Sequence, residues 1–85
     1  MWSITYTSEA LKSLSRMDRS QARRLRSKIL ALAQNPLAPN NNVKKLVGVE
    51  GHRLRVGEWR VIYTLERKAL MVIVIRVGHR SEVYR

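Results

Sequence analysis

Arg53, Arg55 and Arg60 stand where two neighbouring strands would put three guanidinium groups on one face, and His79, Arg80 and Tyr84 follow one strand later. Gly57-Glu58 fits a two-residue hairpin loop with glycine first, which pairs Val56 with Trp59, Arg55 with Arg60, Leu54 with Val61 and Arg53 with Ile62. Leu54, Val56, Trp59 and Val61 then share a core face, and Arg53, Arg55 and Arg60 share the other. Two arginines directly opposite each other are destabilising unless an anion lies between them. Guanidinium forks grip phosphate oxygens two at a time, so three on adjacent strands can bracket one backbone phosphate and stabilise a pentacovalent transition state. The competing reading is that edge-strand arginines merely keep the sheet soluble; the cross-strand arrangement favours anion binding.

Gly78 lets the chain turn after Val77 and delivers His79, Arg80, Glu82 and Tyr84 beside the arginine row if the last strand pairs with the second strand of the hairpin. Histidine is the side-chain type suited to proton transfer near neutrality, which makes His79 a candidate acid or base. Tyr84 can stack on a base or move a proton. His52, Glu58 and Glu82 have nothing near them that suggests a role. No metal-ligand spacing, Gly-rich phosphate loop, Ser-His-Asp set or carboxylate pair occurs, so neither a metal nor a cofactor is expected. RNA needs none of these to be cut, because its 2′-OH can serve as the nucleophile.

The elements that must position these groups fit into one domain spanning residues 1–85, with one modest core, since a chain this short buries only about two-thirds of its unfolded surface. With no cysteine there is no disulfide, thiolate nucleophile or thiolate metal site, and a cytoplasmic protein is expected. The first residues lack the pattern of a signal peptide, and the longest apolar run, Ala69 to Ile75, is too short to span a bilayer. A net charge of +11, spread along the chain, attracts polyanions: nucleic acid, an acidic protein or a ribosome.

Trp2 to Tyr6 alternates and reads as a first strand. Thr7 or Ser8 can cap a helix carrying Ala10, Leu11, Leu14 and Met17 at helical spacing. Asp18 with Gln21 resembles a capping box opening a second helix, whose stripe is Ala22, Leu25, Ile29 and Leu32. Its other side carries Arg19, Arg23, Arg24, Arg26 and Lys28, read as a solvated face that can still steer a ligand. Asn35-Pro36 stops this helix, and Val43 to Val47 forms a short strand or an irregular connection. From His52 the period changes to two, with strands near His52–Val56, Trp59–Leu65 and Leu70–Val77, the last apolar on both sides like a central strand. The expected fold is α+β: an N-terminal strand, an α-helical hairpin and an antiparallel β-meander, with the helices on one face of a four-stranded sheet.

In Arg53-Leu54-Arg55-Val56-Gly57-Glu58-Trp59-Arg60-Val61-Ile62-Tyr63 and in Val77-Gly78-His79-Arg80-Ser81-Glu82-Val83-Tyr84 the chain resembles the RelE toxins of the RelE/ParE superfamily. The order of strand, helical hairpin and meander is also that of the family. The resemblance implies a toxin of a type II toxin-antitoxin system that enters the ribosomal A site, cleaves mRNA there, and is held inactive by a cognate antitoxin wrapped around it. The 2′-OH attacks the adjacent phosphate and leaves a 2′,3′-cyclic phosphate and a 5′-OH. By position, Arg53 and Arg55 take two basic catalytic places, Arg60 that of a phosphate-stabilising arginine, Arg80 that of a second essential arginine, and Tyr84 that of the C-terminal tyrosine.

Well-studied RelE toxins carry lysine where Arg53 and Arg55 stand. A guanidinium is a poor proton acceptor, so the acid-base work is expected from Tyr84, His79 or the ribosome. Two other readings compete: a ParE-like toxin that poisons gyrase without cutting RNA, and a basic RNA-binding module without catalysis. The first generally lacks the joint Arg60, Arg80 and Tyr84; the second needs phosphate contacts but neither Tyr84 nor His79.

Overall fold

The computed structural model describes residues 1–83. Its elements run β1 (Ser3–Tyr6), α1 (Ser8–Arg16), α2 (Arg19–Gln34), β2 (Val43–Lys45), β3 (His52–Val56), β4 (Trp59–Glu66), β5 (Met71–His79) and α3 (Arg80–Val83). Thr7 caps α1, accepting from the Ala10 N–H at 3.1 Å, and its hydroxyl donates to the Ile75 carbonyl at 2.6 Å, which ties the helix start to β5. Asp18 caps α2 by accepting from the Ser20 N–H at 3.0 Å and from the Ser20 hydroxyl. The expected capping box closes on one side only: among the described residues the buried Gln21 Oε1 has no partner.

The sheet has five strands rather than four, in the order β1-β5-β4-β3-β2. The extra strand is Val43–Lys45, which pairs antiparallel with β3. The sheet is mixed, because β1 lies parallel to β5, with Ser3 opposite Met71 and Tyr6 opposite Val74. That parallel pairing makes β5 central and explains why it is apolar on both faces.

The β3–β4 hairpin has the expected register, with Val56 opposite Trp59, Arg55 opposite Arg60, Leu54 opposite Val61 and Arg53 opposite Ile62. Gly57 has φ +60° while Glu58 keeps a negative φ, the turn in which only the first residue is left-handed. Between β4 and β5 the register shifts at Ile62/Tyr63: Ile62 faces Arg76 and Tyr63 faces Val74, so Ile75 is left over. The bulge keeps Val74 and Val77 on the same buried side despite their odd spacing.

The core joins Ala10 and Leu14 of α1 and Leu25, Ile29, Leu32 and Ala33 of α2 to Leu54, Val56, Val61, Tyr63, Val72, Val74 and Val77 of the sheet. Each large aliphatic side chain buried there contributes about 1.5–3 kcal/mol. This layer fixes the inner face of the β3–β4 hairpin and so presents its arginines on the outer one. No described helix is long and apolar enough to cross a membrane.

Candidate functional site

The outer face of β2, β3 and β4 carries two cross-strand pairs of cations. Arg55 lies opposite Arg60, and Lys44 lies opposite Arg53. These four side chains, with Asn41 and Asn42, line a concavity of about 370 Å³ to which no carboxylate among the described residues contributes. Directly opposed residues hold their Cβ atoms roughly 4.5–5.5 Å apart, so the like charges repel unless an anion lies among them. Neutral acceptors keep the arginines in place: Arg55 Nη2 donates to Asn42 Oδ1 at 3.1 Å, and Arg60 Nη1 donates to the carbonyls of Gly57 and Trp59 at 2.8 and 2.9 Å. They orient the guanidinium groups without neutralising them, a suitable arrangement for a phosphate.

Lys44 lines the concavity opposite Arg53 and was not among the candidates that the sequence suggested. Its signal was the short β-prone run at Val43, but its position opposite Arg53 depends on a pairing across the segment between β2 and β3. Among the described residues, it alone in this concavity has a side chain able to accept a proton in its neutral form and return it as a cation.

Arg80 stands at the tip of the hairpin rather than within the arginine row. Its backbone N–H donates to the Glu58 carbonyl at 2.8 Å, and its Nε lies 2.8 Å from Glu58 Oε2. Arg55, Arg60 and Arg80 also border a larger groove of about 810 Å³ that runs between the hairpin tip and α2 and includes Arg24 and Lys28. The solvated helix face expected for α2 is therefore divided. Arg24 and Lys28 turn toward the hairpin, Arg26 lies over the Tyr6 ring at 5.2 Å, and Arg19 and Arg23 border a separate hollow.

His79 does not join the arginines on their face. Gly78 is the residue opposite Arg60, whereas His79 is opposite Trp59 and meets its ring edge-on at 5.8 Å. Alternation along β5 thus puts the imidazole on the Trp59 side of the sheet, where Nδ1 lies 3.0 Å from Ser81 Oγ. Tyr84, the remaining candidate, lies outside the described residues.

The other histidine, His52, stacks on Tyr63 at 5.3 Å on the core side. Partial burial, followed by the charges of Lys45 and Arg67, pushes His52 down, and burial pushes the Tyr63 hydroxyl up to about 12. Both changes favour the neutral forms, as suits a structural pair. Among the described residues no group of three or more His, Asp and Glu side chains is arranged to hold a metal ion.

Residues 4–84 match the family model described as the ParE toxin of the type II toxin-antitoxin system parDE. A curated RelE-like toxin protein of Escherichia coli is 24% identical over 85 residues, covering 98% of this chain and 90% of the relative. Among solved structures, the isolated E. coli RelE toxin superimposes with a TM-score of 0.79 at 25% identity, covering 99% of this chain and 92% of that one. The toxin-antitoxin complex RelBE2 of Mycobacterium tuberculosis gives 0.81 at 21% identity, covering 93% and 98%.

Proposed function

The chain belongs to the ParE toxin family of type II toxin-antitoxin systems, within the RelE/ParE superfamily, and from that premise we propose that it is a ribosome-dependent mRNA endoribonuclease. The observation that carries this reading is the cross-strand placement of Arg55 against Arg60 in a concavity that no carboxylate among the described residues lines. Such a site is complementary to the extra negative charge of a phosphorane.

The chemistry follows from what those residues can and cannot do. Arg53, Arg55 and Arg60 bind the non-bridging oxygens of the scissile phosphate, and Arg80, held by Glu58, approaches from the hairpin tip. The 2′-oxygen attacks phosphorus, and its proton passes to Lys44 or to a group of the ribosome. The bond from phosphorus to the 5′-oxygen breaks, and the departing oxygen receives a proton from Tyr84 or water. The products are a 2′,3′-cyclic phosphate and a 5′-OH. His79, on the Trp59 side of the sheet, acts as a support for the hairpin tip unless the ribosome draws the C-terminal segment across.

An acidic, amphipathic antitoxin segment is the partner that would silence this site, as charge complementarity with a net +11 chain favours it. The ribosome supplies the mRNA path. A gyrase-poisoning toxin is the second reading, favoured by the ParE description of the matched family. Mapping RNA 5′ ends on translated and untranslated copies of one transcript separates the readings. Codon-positioned cuts confined to the translated copy support cleavage on the ribosome, and DNA breaks without RNA cuts support the gyrase reading.

A further inference from the structure

We propose that the groove between α2 and the β3–β4 turn is a second phosphate subsite, where Arg24 and Lys28 hold the RNA strand beside the scissile nucleotide. This rests on the RNA-cleaving reading above and assigns a role to cations outside the arginine row. Arg24 and Lys28 are four residues apart on α2 and so share one side of the helix. That side faces the hairpin tip: a side chain beginning at Gly57 would lie 3.5 Å from an Arg24 guanidinium nitrogen. Glycine at 57 meets the turn geometry, and the Arg24 guanidinium lies within ordinary contact distance of the turn.

The groove, about 810 Å³, is more than twice the volume of the 370 Å³ sheet-face concavity, and both share Arg55, Arg60 and Asn42 as a common wall. One polyphosphate chain can thus continue from the clamp, around the hairpin tip, toward α2. Among the described residues Glu58 is the one carboxylate lining the groove, and it is already engaged by Arg80, so a strong positive field remains. Cations and amides, including Asn35 and Asn40, make up most of the lining. A protein segment docks mainly through buried aromatic and aliphatic anchors; this lining suits a phosphate backbone better.

The test is binding of a 2′-O-methyl RNA, which cannot supply the nucleophile, followed by fluorescence anisotropy over a range of salt. A trinucleotide and an octanucleotide are compared on the wild type, on Arg24→Gln/Lys28→Gln, and on Arg19→Gln/Arg23→Gln, which loses the same charge elsewhere on α2. For the octanucleotide, the first double variant is expected to lower the slope of log affinity against log salt by about 1.4, two single-strand phosphate contacts. Lys28→Gln alone, which leaves Arg24 in place above Gly57, is expected to lower it by about 0.7. The trinucleotide slope should not change in either double variant, and on the octanucleotide the control pair should have a smaller effect than Arg24→Gln/Lys28→Gln.

Equal losses of octanucleotide slope in the two double variants, or equal losses at both lengths, would overturn the subsite. So would an unchanged RNA slope together with a weakened antitoxin complex, which would assign the groove to the protein partner. Because the probe is never cut, a failure of the cleavage reading appears in the 5′-end map and leaves this slope unchanged.

Discussion

Arg80 is fastened to Glu58 twice, through a backbone hydrogen bond of 2.8 Å and an ion pair of 2.8 Å. Both side chains are 61% exposed, so the pair contributes little to stability, and its consequence is placement. Glu58→Gln is expected to lower cleavage by roughly ten- to a hundredfold through misplacement of Arg80, with an unchanged urea midpoint. Glu58→Asp should recover part of the rate. Cleavage rates in a translating extract, beside equilibrium unfolding, check both statements.

Arg55 and Arg60 oppose each other with no counter-charge lining their concavity among the described residues, so function and stability should part there. Arg55→Gln removes the repulsion and is expected to raise unfolding stability by roughly 0.2–1 kcal/mol. The same change should reduce cleavage by on the order of 10²–10³, the scale of losing a donor to a developing charge. Urea denaturation of the two proteins reads the first effect and RNA cleavage the second.

Lys44 distinguishes charge from proton transfer. Lys44→Arg retains the cation opposite Arg53 and loses the acceptor. Cleavage is expected to fall by about 10²-fold, while RNA affinity stays close to that of the wild type. A variant with the wild-type rate would transfer the base to Tyr84 or the ribosome.

Tyr63 provides a pH test of the core. Its folded pKa is raised from 10.0 to about 12 by burial, so the neutral phenol favours folding below pH 10, and that contribution is lost as pH rises from 10 toward 12. Its buried hydroxyl also has no hydrogen-bond partner among the described residues. Tyr63→Phe is therefore expected to raise stability by roughly 1 kcal/mol near neutrality and to unfold less readily than the wild type above pH 10. Urea titrations on either side of that pH check the sign.

Local constraints made the hairpin legible in sequence. A two-residue turn with glycine first leaves one register, and alternation then puts Arg53, Arg55 and Arg60 together. The parallel pairing of β1 with β5 was not legible, because it joins residues nearly seventy positions apart and both strands suit several partners. The bulge at Ile62/Tyr63 was hidden for a similar reason: β5 is apolar on both faces, so its pattern carries no phase. Continuing the same alternation one strand further puts Gly78, not His79, opposite Arg60, which the hairpin alone does not reveal. The direction of Arg24 and Lys28 depends on how α2 rotates over the sheet, a matter of core packing rather than of helix periodicity.

The most direct test is a 5′-end map of one transcript, translated and untranslated, after induction of the wild type and of an Arg55→Gln/Arg60→Gln variant. The expected result is cuts in phase with codons on the translated copy only, ending in 5′-OH, and none with the variant. Cuts of equal abundance on both copies, or an undiminished pattern from the variant, would contradict the assignment of ribosome-dependent cleavage to the arginine pair.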